Sequence, residues 1–225
     1  MLCASKEYSF VLPFSHDLLR SHSNCTVLCC LLQAAKAQPV EMFTAVLETD
    51  ISETAIVIEV GGASVVPPFQ VTRSLAPLGA DRFYALVKDG FYQDSAIFRV
   101  VPKFVLQFGI SGNPENNKKW LHNNILDDPV LGSNTRGTIC FAIDGPNTRT
   151  SQVFINFANN SRLDTNNFAP FGKVVSGMEV AEAVFNPTPG DRGGIDQAQY
   201  EELGNAWIRE KYPGVNFITK AYIRE

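Results

Sequence analysis

Beyond residue 40 the chain runs as short apolar stretches separated by clusters of turn-forming residues. The stretches that read as strands are Met42–Leu47, Ala55–Val60, Ala96–Val101, Val105–Phe108, Thr138–Ala142, Val153–Phe157, Phe171–Val175 and Phe217–Arg224. β-branched and aromatic residues dominate them, as a pleated, half-buried surface demands. Gly, Asn, Asp and Pro punctuate them. Three segments carry helical signals instead. Pro77–Asp89 has proline in its first turn, apolar Leu78, Phe83, Leu86 and Val87 largely on one face, and Gly90 just past its end. Glu179–Phe185 stops before Pro187, and Tyr200–Tyr212 stops before Pro213. Many short strands with few helices argue for a barrel or a sandwich.

One segment breaks this rhythm. Gly61–Gln70 reads GGASVVPPFQ, and neither Pro67 nor Pro68 has an amide proton to give a central ladder. It reads as an insertion at a strand end or a gene-model artefact rather than as a specificity loop, and surface insertions cost little closure entropy. Residues 1–40 read as a leader. The run Cys25–Leu32 (CTVLCCLL) is followed by Ala35 and Ala37 in a small-residue cleavage pattern. The segment is either a secretory signal or a disordered or mis-assigned amino-terminal extension, and the run Cys25–Leu32 is too short to span a bilayer. Cleavage near Ala37 would place the protein in the secretory route; an intact leader would leave it cytoplasmic.

Composition narrows the function. At 225 residues the chain is long enough for one domain with a full core or for two small ones, and 45% hydrophobic with 19% charged is ordinary globular make-up. A net charge of -4 leaves no electrostatic footprint for nucleic acid. The adjacent Lys118 and Lys119 read as solvated loop charges. Of the five cysteines, only Cys140 lies in the body of the chain, inside an apolar run that predicts a buried structural thiol. His16, His22 and His122 are the only histidines, and no Cys/His cluster has zinc spacing. Asp127-Asp128 reads as a solvated turn before Pro129. The glycine-rich run Pro189–Gly194 lacks the Lys-Ser/Thr of a phosphate-binding loop. No metal or cofactor is implied.

Three blocks carry chemistry. Ile97–Gly109 reads IFRVVPKFVLQFG, Phe141–Phe157 reads FAIDGPNTRTSQVFINF, and Arg162–Gly172 reads RLDTNNFAPFG. Together and in this order they resemble the cyclophilins, the peptidyl-prolyl cis-trans isomerases inhibited by cyclosporin. The resemblance covers Met42–Glu225 apart from the insertion. It implies an eight-stranded antiparallel closed barrel capped by two or three helices. It also implies isomerisation of X-Pro bonds in proline-containing peptides and unfolded chains, with no cofactor, by a monomer without a membrane span.

The residue roles follow from the same resemblance. Arg99, within Phe98-Arg99-Val100-Val101-Pro102, matches the catalytic arginine, and Gln107 the glutamine beside it. Phe104, Val105, Phe154 and Leu163 match the proline pocket. Gln152 and the Ala142-Ile143 backbone match the peptide groove. Phe104 and Gln107 are three apart, so a regular strand would point them to opposite faces and a bulge or bend would be required.

The departures matter as well. Arg162 stands where the family often has tryptophan, which implies weak cyclosporin binding. Phe168 stands in place of a histidine, and Ile143 in place of an asparagine that works through its main chain. These changes motivate an alternative, a proline-peptide binding module with little or no turnover. A weaker one is a structural β-domain without a peptide site.

Overall fold

The computed structural model describes residues 42–61, 75–120 and 122–224. The leader and most of the 61–70 insertion lie outside the described residues. Strands form where the apolar stretches predict them: β1 (Met42–Thr49), β2 (Ile56–Gly61), β3 (Ser95–Ala96), β4 (Arg99–Val101), β5 (Val105–Phe108), β6 (Thr138–Phe141), β7 (Val153–Asn156), β8 (Pro170–Ser176) and β9 (Phe217–Arg224). They build one sheet in the order β3-β9-β1-β2-β8-β6-β7-β5-β4, antiparallel at every pairing. Mainly-β, antiparallel architecture is therefore as expected.

The expectation of eight strands in a closed barrel needs correction. The stretch Ala96–Val101 is not one strand. β3 pairs with β9 at one edge and β4 with β5 at the other, so Ile97 and Phe98 carry the chain across the seam. Their backbone groups are taken elsewhere. Ile97 N–H donates to Asn216 O at 2.9 Å, and Phe98 O accepts from Ile195 N–H at 3.0 Å. With those groups occupied, β3 and β4 form no ladder, and the curled sheet stops short of hydrogen-bonded closure.

Helix α1 (Pro77–Lys88) buries Ala80, Phe83, Leu86 and Val87 against the sheet. Its start is fastened from a distance: Asp128 accepts from Leu78 N–H at 3.1 Å and Gly79 N–H at 2.8 Å. The Asp127-Asp128 pair is thus no solvated turn. Asp128 is 5% exposed and pairs with the equally buried Arg149 at 2.9 Å, while Asp127 accepts from Asn147 N–H at 2.8 Å. A short helix α2 (Pro114–Trp120), absent from the sequence expectation, carries Lys118 and Lys119. Both lysines are exposed, but they belong to a helix rather than a loop and pair with Glu115 and Asp89. Helix α3 (Met178–Glu182) is shorter than expected. Helix α4 (Gln197–Lys211) begins three residues before Tyr200, capped by Asp196, and is interrupted at Gly204, whose φ is 67°.

Three apolar clusters result. The largest lies between α1 and the sheet, and holds Phe83, Tyr92, Phe141 and Phe171. A second packs α4 on Phe98, Ile110 and Phe217. The third is small and open to one side: Val105, Cys140, Phe154 and Leu163, with Phe104 and Phe168 half-buried at its edge.

Candidate active site

The third cluster is the floor of a cavity of about 640 Å³. Sheet register explains its composition. Arg99 on β4 lies opposite Gln107 on β5, Gln107 opposite Phe154 on β7, and Phe154 opposite Cys140 on β6. Directly opposed residues share a face of a sheet, so the four form one row on the face turned away from the main core, into which the alternate residues Val100, Leu106, Ile155 and Ile139 point. Val105 joins them, two residues from Gln107 on the same face.

Phe104 enters differently. It is not in β5 but closes the turn Val101–Phe104, donating its N–H to Val101 O at 3.0 Å. Pro102 and Lys103 occupy the corner, and Lys103 takes φ 61°. A turn with proline second and a positive φ third is of type II. No bulge is required, because Phe104 was never bound by strand alternation with Gln107.

A relay of polar groups crosses the cavity. Arg99 Nη1 donates to Gln107 Oε1 at 2.7 Å, Gln107 Nε2 to Gln152 Oε1 at 2.8 Å, and Gln152 Nε2 reaches Glu201 Oε1 at 3.5 Å. Arg99 Nε donates to Arg192 O at 2.6 Å. The guanidinium is fixed at both ends. Burial, then the charge of Arg192, pull its pKa below the usual value, and Asp191 partly restores it. Burial raises the Glu201 carboxyl above the ordinary range, against the hydrogen bond from Gln152.

Leu163 and Phe168 arrive on a 3-10 helix (Ser161–Asn166) and the residues after it. Phe154 and Phe168 meet edge to face, with ring centroids 5.5 Å apart. An asparagine network holds this wall. Asn134, with no exposure, donates to Asp164 Oδ1 at 2.7 Å and Phe168 O at 2.8 Å, and accepts from Asn156 at 3.1 Å and the Cys140 thiol at 3.0 Å. Asn160 donates to Phe104 O at 2.9 Å and to Asn156 Oδ1 at 2.7 Å. Cys140 is buried as expected, and burial pushes its thiol pKa well up.

All the residues selected from sequence line this one cavity: Arg99, Phe104, Val105, Gln107, Ala142, Ile143, Gln152, Phe154, Leu163 and Phe168. Ala142 extends the β6–β7 ladder by donating to Gln152 O at 2.9 Å. Others were missed. Asp144, Thr148 and Thr150 come from the loop between β6 and β7, Gly193 from the segment before α4, and Gln197 from the first position of α4. The run Pro189–Gly194 was noticed only as a poor phosphate loop, and its proximity to Arg99 is a product of folding. The asparagine network had no sequence signal at all. Exposed His122 takes no part in the cavity. Among the described residues no three His, Cys, Asp or Glu side chains are grouped to hold a metal ion, and no helix is long and apolar enough to cross a membrane.

The profile of the family described as "Cyclophilin type peptidyl-prolyl cis-trans isomerase/CLD" matches residues 68–199. This chain belongs to the cyclophilin family. Among curated relatives, a peptidyl-prolyl cis-trans isomerase of Acinetobacter baylyi is 38% identical over 118 residues, covering 49% of this chain and 62% of that protein. The isomerase ppi1 of Schizosaccharomyces pombe is 34% identical over 110 residues, covering 48% of this chain and 70% of its own. An Arabidopsis thaliana isomerase, CYP18-1, is 33% identical over 126 residues, covering 52% of this chain and 75% of its own. The chain spans less than two thirds of the first two relatives, at 62% and 64% of their lengths. A solved cyclophilin type isomerase of Cryptosporidium parvum shares the fold, with TM-score 0.56, 19% identity, and coverage of 82% of this chain and 98% of that one. Cyclophilin membership thus rests on the sequence match, and the solved neighbour shares the architecture.

Proposed function

We propose that this cyclophilin catalyses cis-trans isomerisation of X-Pro bonds in peptides and unfolded chains, with Arg99 as the catalytic residue. The supporting observation is the placement of a half-buried guanidinium, fixed by Gln107 and the Arg192 carbonyl, at the edge of an apolar cup floored by Val105, Phe154 and Leu163. A solved cyclophilin type isomerase of Cryptosporidium parvum, of the same fold, was crystallised in the presence of the dipeptide Ala-Pro.

The chemistry asks for little else. Amide resonance imposes a rotational barrier of roughly 18–20 kcal/mol. Before proline both isomers are populated, but they exchange in tens of seconds or longer. Bringing a ~100 s event to ~1 ms takes about 7 kcal/mol, at ~1.36 kcal/mol per tenfold. Only interactions stronger in the twisted state than in either planar state contribute. In the twisted state the proline nitrogen regains its lone pair and becomes an acceptor. A guanidinium aimed at that nitrogen favours it selectively. Val105, Phe154, Leu163, Phe104 and Phe168 hold the ring, while Gln152 and the Ala142-Ile143 backbone anchor the flanking chain.

The test is Arg99→Ala, followed by exchange NMR on a proline tetrapeptide. Isomerisation falls by about 10²–10³-fold, the usual cost of removing one pre-organised charge-stabilising donor. Peptide binding, read by titration, persists. Equal inertness of wild type and variant, with binding retained, would establish the binding-module alternative instead.

A further inference from the structure

Three arginines converge on one aromatic ring. The guanidinium carbons of Arg162, Arg192 and Arg99 lie 4.7, 5.7 and 6.0 Å from the Phe104 ring centroid. They come from three separate segments: the 3-10 helix, the glycine-rich run before α4, and β4. Among the described residues none of the three is in an ion pair, whereas Arg136, Arg149 and Arg209 each have a carboxylate partner. Arg162 is held by Asn160 Oδ1 at 3.2 Å, which leaves most of its donors free. Asp191, the chain neighbour of Arg192, has its Oδ1 engaged by Gly193 N–H at 2.7 Å.

Like charges gathered around one ring repel one another: burial is the main cause of the lowered Arg99 pKa, and the charge of Arg192 adds to it. An anion placed between them relieves that repulsion. Arg162 and Arg192 are chain neighbours of Leu163 and Gly193, which line the cavity, and both side chains are exposed at its rim. Asp144 also lines the cavity, and Glu201 meets its lining residue Gln152 at 3.5 Å. The net charge of the protein is -4, so attraction of anions must be local to the three arginines rather than global.

We infer that this site prefers proline peptides bearing an anionic side chain, carboxylate or phosphate, one or two residues from the proline, gripped by Arg162 and Arg192. This deepens the isomerase reading and rests on it. Consecutive residues are about 3.8 Å apart, so a side chain that close in sequence to a proline seated against Phe104 reaches the rim. Phosphate suits the arrangement best, since guanidinium forks match its oxygens.

The test uses the full chain and peptides carrying alanine, glutamate, phosphoserine or lysine on either side of the proline. Exchange NMR gives kcat/KM, and NMR titration gives binding independently of turnover. At one of the positions glutamate exceeds alanine by about three- to tenfold, the range expected of two exposed ion pairs. Lysine falls below alanine, and the difference resides in KM. A larger gain for phosphoserine marks a dianion as the preferred ligand; equal gains mark one carboxylate as sufficient. The gain collapses in the Arg162→Gln/Arg192→Gln double variant and in about 0.5 M NaCl, where screening lengths shrink to a few ångströms. Equal kcat/KM and equal binding for the alanine, glutamate and phosphoserine peptides, or a gain that survives the double variant, overturns the inference. Failure to isomerise even the alanine peptide overturns the isomerase reading instead, and the titration still decides the anion preference.

Discussion

A methyl group added at Gly194 would sit 2.7 Å from Arg99 Cβ and 2.9 Å from both its Cγ and the Phe98 carbonyl oxygen. The residue also takes φ 84°, a left-handed conformation that costs an L side chain roughly 1–2 kcal/mol. The glycine therefore lets a loop lie directly on the proposed catalytic side chain, and it delivers the Arg192 carbonyl to Arg99 Nε. Gly190 supplies a natural control, because its φ is 87° but nothing lies within 4 Å of its missing Cβ. Both Gly194→Ala and Gly190→Ala lose about 1–2 kcal/mol from the conformational cost in urea denaturation. Only Gly194→Ala loses isomerase activity, by roughly tenfold or more, mainly in kcat, because a misplacement of about 1 Å is enough to spoil a catalytic group. Equal activity in the two variants would show that Arg99 tolerates displacement.

At the scale of elements, what organises the site is the fastening of helices and loops to the sheet by single buried polar residues. Asp128 caps α1 through Leu78 and Gly79 and neutralises Arg149, which is 3% exposed. Arg149 also donates to the Leu126 carbonyl, and its neighbour Asn147 is held by Asp127. The loop that offers Asp144, Thr148 and Thr150 to the cavity is in this way tied to the start of α1. Removing one member of a buried ion pair strands its partner, at about 3–5 kcal/mol. Asp128→Ala is expected to lose that much in equilibrium unfolding. Asp128→Asn keeps an oxygen for the helix amides and loses less. A loss under about 1 kcal/mol for Asp128→Ala would mean that water replaces the carboxylate.

For the molecule as a whole, acid should act through the wall that carries Leu163. Burial raises the Asp164 carboxyl, but hydrogen bonds from the Ser133 hydroxyl and from the Asn134 side chain and backbone outweigh it, so its pKa lies below the ordinary value. The unfolded chain then takes up this proton at a higher pH than the folded chain. The stability Asp164 contributes is complete above about pH 4, near the unfolded value, and is lost as pH falls through the folded one. Glu201 has the opposite sign: its raised pKa makes its contribution complete below about pH 4.3, and that contribution is lost as pH rises through the folded value. The difference in melting temperature between wild type and Asp164→Asn is expected to be largest at about pH 6 and to narrow towards pH 3, as the carboxylate protonates. A constant difference across that range would mean that Asp164 is not the group that titrates.

The sequence by itself determined most of the strands, the start and apolar face of α1, and the residues that meet in the cavity. Strand periodicity and turn residues are local, and Arg99, Gln107 and Phe154 sit in short blocks whose resemblance to the cyclophilins marked them. It misjudged what depends on partners distant in the chain. Ala96–Val101 looked like one strand because its side chains are uniformly apolar apart from Arg99, yet Asn216 and Ile195 claim its middle and leave the barrel unclosed. Asp128 looked solvated because the residue that buries it, Arg149, is 21 positions away. The asparagine network and the ring of arginines on Phe104 were equally invisible, since hydrogen bonds and cation–π contacts between separate segments have no period in the chain. Tertiary structure decided those, because only packing reveals which polar groups lose water and must find one another.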